Sequence, residues 1–114
     1  MKEAQNVSYQ DIDEFEIKLG FKIDLAWCWK LPLITQVCIK DSKICFAHGR
    51  VLTFVLRHYV NNLYIKYVNI IEVGTARDFS PICMAKALQE DKVKGKIITI
   101  DSLPIKKKMY WNCN

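Results

Sequence analysis

At 114 residues the chain suits one domain of the usual ~100–150 residues and excludes a multidomain enzyme. Hydrophobic residues make up 51% and charged residues 25%, a globular balance that argues against intrinsic disorder across the chain. The formal charge of +5 is too small an excess to name a nucleic-acid partner.

The start, MKEAQ, has no signal-peptide character. Ser8 is placed to cap a short helix with Ile12, Phe15 and Leu19 on one face and Gly20 as its stop. Asp11, Asp13, Glu14 and Glu16 occupy the other face. Their position near a helix N-terminus, where the macrodipole favours negative charge, explains them without metal or acid–base chemistry. From Phe21 to Leu31 the apolar residues alternate through Ile23, Leu25, Trp27 and Trp29, which predicts a strand broken by Pro32. The most apolar stretch, LAWCWKLPLITQVCI, contains Lys30 and Pro32 and is shorter than the ~20 residues of a membrane span, so no membrane association is expected.

The region 46–64 predicts a helix with Leu52, Val55, Leu56, Tyr59, Val60 and Leu63 on its buried face. His58 falls off that stripe and is expected to face solvent. His48 precedes the helix as a capping or ligand-contacting group, with a structural role favoured. YVNIIEV, from Tyr67, predicts a strand buried on both faces. After Gly74 and the loop TARDF, Ser80 as N-cap and Pro81 as first residue open a helix. That helix is expected to turn Ile82, Cys83, Ala85, Ala87 and Leu88 toward a sheet. VKGK turns the chain, and IITID is a second buried strand closing at Asp101. The result is a βαβ crossover of about 35 residues. Near the end, Lys106, Lys107 and Lys108 precede Met109, Tyr110 and Trp111. Such a run can bind a nucleic-acid backbone, but a solvated lysine cluster is the favoured reading, and no nucleic-acid partner is expected.

The five cysteines are odd in number and show no C-x-x-C spacing, which with the leaderless start predicts reduced thiols in a cytoplasmic protein. Cys45 and His48 are half a metal site that no second pair completes, so no metal is expected.

The crossover carries the chemistry. Ligands of an open parallel sheet settle beyond the carboxyl ends of its strands, and a helix starting there offers backbone N–H groups to an anionic group. An acid ending the second strand can accept from both hydroxyls of a ribose. Gly74 alone does not make the G-x-G-x-x-G of a dinucleotide site, which counts against a nucleotide-dependent oxidoreductase and favours a nucleoside without pyrophosphate.

The run IIEVGTARDFSPICMAKAL followed by GKIITIDSLP resembles the first two motifs of class I S-adenosylmethionine-dependent methyltransferases. The nearest branch includes small-molecule O-methyltransferases and cephalosporin-hydroxylase-like proteins. The resemblance covers residues 67–104. It implies an α/β, Rossmann-like methyltransferase fold, truncated after the second core strand, with a mainly helical N-terminal segment over 1–64 and the first βαβ unit over 65–114. It implies S-adenosylmethionine as cofactor and methyl transfer to a small-molecule substrate. Glu72 and Gly74 match the first motif, and Thr75, Ala76, Arg77 and Phe79 fall in its loop. Ser80 matches the serine near the cofactor carboxylate, and Asp101 the ribose-binding acid. Catalytic residues normally come from later strands, so none is assigned.

Asp78 departs from the pattern by standing at its second glycine. It can adopt the left-handed conformation required there, at ~1 kcal/mol or more, but sets a carboxylate against the cofactor's own. Two parallel strands also leave an incomplete core, so self-association or a partner chain completing the sheet is expected. Other readings are a different Rossmann-like crossover and a non-catalytic interaction module that docks through Trp27, Trp29 and the basic end.

Overall fold

The computed structural model describes residues 5–31, 45–75 and 78–102, so Lys106–Trp111 and Cys113 of the basic end, with Cys38, lie outside the described residues. The acidic N-terminal segment forms helix α1, Gln10–Leu19, and Gly20 ends it with a left-handed φ of 74°. Tyr9, not Ser8, holds the N-cap position, and no side chain caps it. The Gly20 N–H closes the helix onto the Glu16 and Ile17 carbonyls.

The strand expected from Phe21 to Leu31 is not formed. Asp24 Oδ1 accepts from the backbone N–H groups of Ala26 and Trp27 at 2.9 and 3.3 Å, and this cap starts a single helical turn, α2, Leu25–Cys28. The alternation of apolar residues has another cause. Ile23 and Cys28 are buried, while Leu25, Trp27, Trp29 and Leu31 pack against their cluster from its rim.

Helix α3, Ala47–Asn62, lies where its periodicity places it, but with a different buried face. Gly49, Arg50, Thr53, Phe54 and Val60 are buried, whereas Val55, Tyr59 and Leu63 are exposed. A polar residue fixes this rotation. Arg50 is drawn inward by Glu16 of α1, and Phe54 follows it to stack on Phe15 at 6.2 Å.

Strand β1, Tyr67–Val73, helix α4, Phe79–Glu90, and strand β2, Lys94–Ile100, form the crossover. The strands pair in parallel, with Tyr67 opposite Lys94 and Val73 opposite Ile100. Together with the helices they make a small mixed α/β domain whose sheet, among the described residues, has two strands. The expectation of strands buried on both faces is overturned. Val68, Ile70 and Glu72 alternate with exposed neighbours, and in β2 Ile97 alone is half-buried. The other face presents Tyr67, Ile71, Val73, Ile98 and Ile100 to solvent.

Helix α4 buries Phe79, Pro81, Cys83, Met84, Ala87 and Leu88, while Ala85 is exposed against expectation. It meets α3 at Gly49, where a Cβ would stand 2.6 Å from Phe79 Cε1 and 2.8 Å from Cys83 Sγ. The close crossing of these helices therefore requires glycine. At the far end Arg57 of α3 grips Asp91 at 2.9 Å and Glu90 at 2.7 Å, with its guanidinium 5.0 Å over the Phe21 ring.

Candidate functional site at the carboxyl ends of the strands

The site is positioned by backbone. The Gly74 N–H donates to the Ile100 carbonyl at 2.8 Å, so the end of β1 stays paired to β2 next to Asp101. Gly74 adopts a φ of +82° with open space where a Cβ would lie, so it is the conformation that calls for glycine. Asp101 lies just past β2 and is exposed. Ala76 and Arg77 lie outside the described residues.

Asp78 holds the N-cap position of α4 with φ 63° and ψ 15°, the left-handed conformation that glycine adopts most readily. Its backbone N–H donates to the Thr75 carbonyl at 3.1 Å, and the buried Thr75 hydroxyl reaches toward its Oδ1 at 3.4 Å. The loop therefore folds with aspartate in the left-handed conformation. Ser80 is not the N-cap. Helix α4 begins at Phe79, and the Ser80 hydroxyl donates to Glu72 Oε1 instead of to its own helix. Glu72 Oε2 is buried and, among the described residues, has no hydrogen-bond partner.

Phe79 is 4% exposed and turned into the core, where its ring meets His48 edge-on at 4.6 Å. That contact brings His48, from the first turn of α3, to the margin of the site. Partial desolvation pushes the imidazole pKa down, and the Glu72 carboxylate pulls it the other way with less effect. Desolvation prevails, so His48 is predominantly neutral at neutral pH. His58, by contrast, contacts the Asn62 amide at 2.8 Å on the far part of α3.

The structure thus gathers Glu72, Gly74, Thr75, Ser80 and Asp101 at one end of the strand pair and adds His48. The sequence offered His48 as a capping or ligand-contacting group, but its place beside the strand ends follows from the α3–α4 packing at Gly49, which no local pattern shows. Sequence reasoning also missed the cluster at the opposite side of α3. There Arg50 donates through Nε to Glu16 Oε1 at 3.1 Å and through Nη2 to Glu16 Oε2 at 2.8 Å and to Asp13. Glu16 and Arg50 are buried, so these carboxylates are not only solvated partners of the helix dipole. The Asp13–Glu16 spacing of three, facing a basic residue inside the α3 pattern, was the available clue.

A cavity of ≈ 130 Å³ lies beside this cluster, lined by Tyr9, Asp13, Trp29, Phe46 and Arg50 among others. It is small against the ~300 Å³ or more of typical ligand sites, and no predicted site residue lines it. Among the described residues no group of three or more His, Cys, Asp or Glu is arranged to hold a metal, and no helix is long and apolar enough to cross a membrane. Comparison with known protein families, curated proteins and solved structures finds no match.

Proposed function

We propose that the carboxyl ends of β1 and β2 bind S-adenosylmethionine, and that the chain carries the cofactor half of a Rossmann-like methyltransferase site for a small-molecule acceptor. The buried, unpartnered Glu72 Oε2 is the observation that carries this reading. A buried carboxylate oxygen without a donor costs ~1–3 kcal/mol or more, and a small turn of the Glu72 side chain toward the strand ends would let a ligand hydroxyl or amine remove that cost. The other residues suit the same ligand. Asp101 is exposed beside Gly74, where it can accept from a ribose, and the N-terminus of α4 opens next to Ser80 with no side-chain cap.

Bound there, the cofactor supplies an electrophilic methyl group on sulfonium. The chain contributes binding and orientation, the proximity component of catalysis. Asp78 opposes the cofactor carboxylate, so affinity is expected to be weak and to rise in Asp78→Gly. Calorimetric titration of the intact chain with S-adenosylmethionine and S-adenosylhomocysteine tests the reading. No heat at millimolar ligand, in both the natural chain and Asp78→Gly, refutes it.

A specific observation favours a second reading, an interaction module. The open face bearing Ile71, Val73, Ile98 and Ile100 is more apolar than a free sheet face ordinarily is. That reading predicts no ligand heat and unchanged behaviour in Glu72→Gln.

A further inference from the structure

The ≈ 130 Å³ cavity beside the Glu16–Arg50–Asp13 cluster uses none of the residues gathered at the strand ends. Val7, Tyr9, Leu25, Trp29 and Phe46 give it apolar and aromatic walls, and its charged lining residues are Asp13 and Arg50. Apolar walls with a few placed polar groups are the ordinary form of a small-ligand site. A cavity of ~150 Å³ holds benzene, so this one suits a ligand of about six to eight non-hydrogen atoms.

The charged groups are only partly used. Arg50 donates through Nε and Nη2 to Glu16 and through Nη2 to Asp13 Oδ1, which leaves Nη1 without a bond among the described residues. A guanidinium whose side chain is 6% exposed ordinarily has its donors satisfied. Nη1 is not sealed off, because Glu72 Oε2 is the one side-chain atom among the described residues that is both buried and unpaired. The small open surface of Arg50 therefore includes Nη1, and Arg50 lines the cavity. Asp13 meets Arg50 through Oδ1, so Oδ2 is spare, and its side chain remains 47% exposed. The Tyr9 hydroxyl is already engaged with Cys45 Sγ at 3.7 Å, so Tyr9 contributes its ring to the wall.

We propose that this cavity binds a small apolar α-amino acid, with its carboxylate on Arg50 Nη1, its ammonium on Asp13 Oδ2 and its side chain against Leu25, Trp29 and Phe46. The charge balance selects a zwitterion. One guanidinium faces two carboxylates, leaving one net negative charge, so a plain carboxylate is repelled. A plain amine suits that charge but leaves the Nη1 donor unpaired beside a cation. An amino acid serves both groups with charge-assisted hydrogen bonds. Glu72, Ser80 and Asp101 take no part, so binding here and cofactor binding at the strand ends can each fail without the other.

The test titrates the ¹⁵N-labelled full chain with L-valine and follows backbone amide and tryptophan indole shifts. Saturable changes are expected at Tyr9, Asp13, Trp29 and Phe46, at millimolar ligand or below. Isobutylamine lacks the carboxylate of L-valine and 3-methylbutanoate lacks its ammonium. Each should bind ~10–100-fold more weakly, the equivalent of one lost charge-assisted bond. Asp13→Asn keeps an oxygen for Arg50 but removes the charge, and should weaken L-valine by the same factor. The analogue series uses the natural chain, so it stands even if that variant folds poorly. The proposal is overturned if L-valine gives no saturable shift at tens of millimolar. It is equally overturned if either analogue binds as tightly as L-valine, or if folded Asp13→Asn binds L-valine unchanged.

Discussion

Replacing Arg50 by methionine is the sharpest probe of how the N-terminal helices are held to the rest. Its side chain is 6% exposed and that of Glu16 is 2%, whereas Asp13 is 47% exposed. Arg50→Met leaves the Glu16 carboxylate buried without a cation, and breaking a buried pair this way costs ~3–5 kcal/mol. The half-exposed Asp13 contributes ~1 kcal/mol at most, so the Glu16 half of the cluster dominates. A total stability of ~5–15 kcal/mol makes that loss a large fraction of the whole. With a urea m-value of ~2 kcal/mol/M the midpoint should fall by roughly 2 M. The double variant Arg50→Met with Glu16→Leu removes both charges and should recover most of the loss. Asp13→Asn should cost about 1 kcal/mol or less. A single Arg50→Met variant within ~1 kcal/mol of the parent, or a double variant no more stable than the single, would refute the assignment to an uncompensated buried charge.

Gly49→Ala sets a methyl group against the Phe79 ring and Cys83 Sγ, and should destabilise by ~1–3 kcal/mol by thermal melting, despite alanine's better helix propensity. Stabilisation would show that the helices do not approach as closely as described. Asp24→Ala removes the cap of α2 and should cost ~1 kcal/mol, read as faster proteolysis within Leu25–Leu31. For His48 the folded pKa lies below the unfolded value of 6.5, so the folded state binds fewer protons. Its contribution is full above pH 6.5 and declines as pH falls through that value toward the folded pKa. The imidazole retains solvent contact, so the loss should be a few tenths of a kcal/mol and absent in His48→Phe. An NMR titration midpoint at or above 6.5 contradicts this.

The crossover was legible because its signals are local. A β-branched run, a glycine, a proline in the first turn and a second β-branched run each act within a few residues. The Gly20 stop was legible for the same reason. Asp78 in the left-handed region was also anticipated, since few residues tolerate that conformation. The misreadings share a different cause. At Leu25–Cys28 a side-chain cap from Asp24 outweighed an apolar alternation that read as a strand. In α3 the visible stripe of Val55, Tyr59 and Leu63 pointed away from the core, because the buried face is fixed by Arg50 meeting Glu16. A partner distant in sequence leaves no trace in a local period. The Glu72–Ser80 bond was missed likewise, because a serine before proline suits an N-cap equally well.

Among the described residues β1 pairs with a single neighbour, which has a consequence in the time domain of its amide protons. Gly74 points its N–H at Ile100, and strand parity points those of Val68, Ile70 and Glu72 the same way. The N–H of Lys94 points at Lys66, and those of Lys96, Ile98 and Ile100 follow it. The amides between, at Asn69, Ile71, Val73, Gly95, Ile97 and Thr99, face outward from the pair. Deuterium should therefore enter each strand at every second residue, fast then slow, as along a zipper closed on one side. A strand arriving beside either one would slow that strand's fast set alone, and the residues affected would reveal which side it had taken.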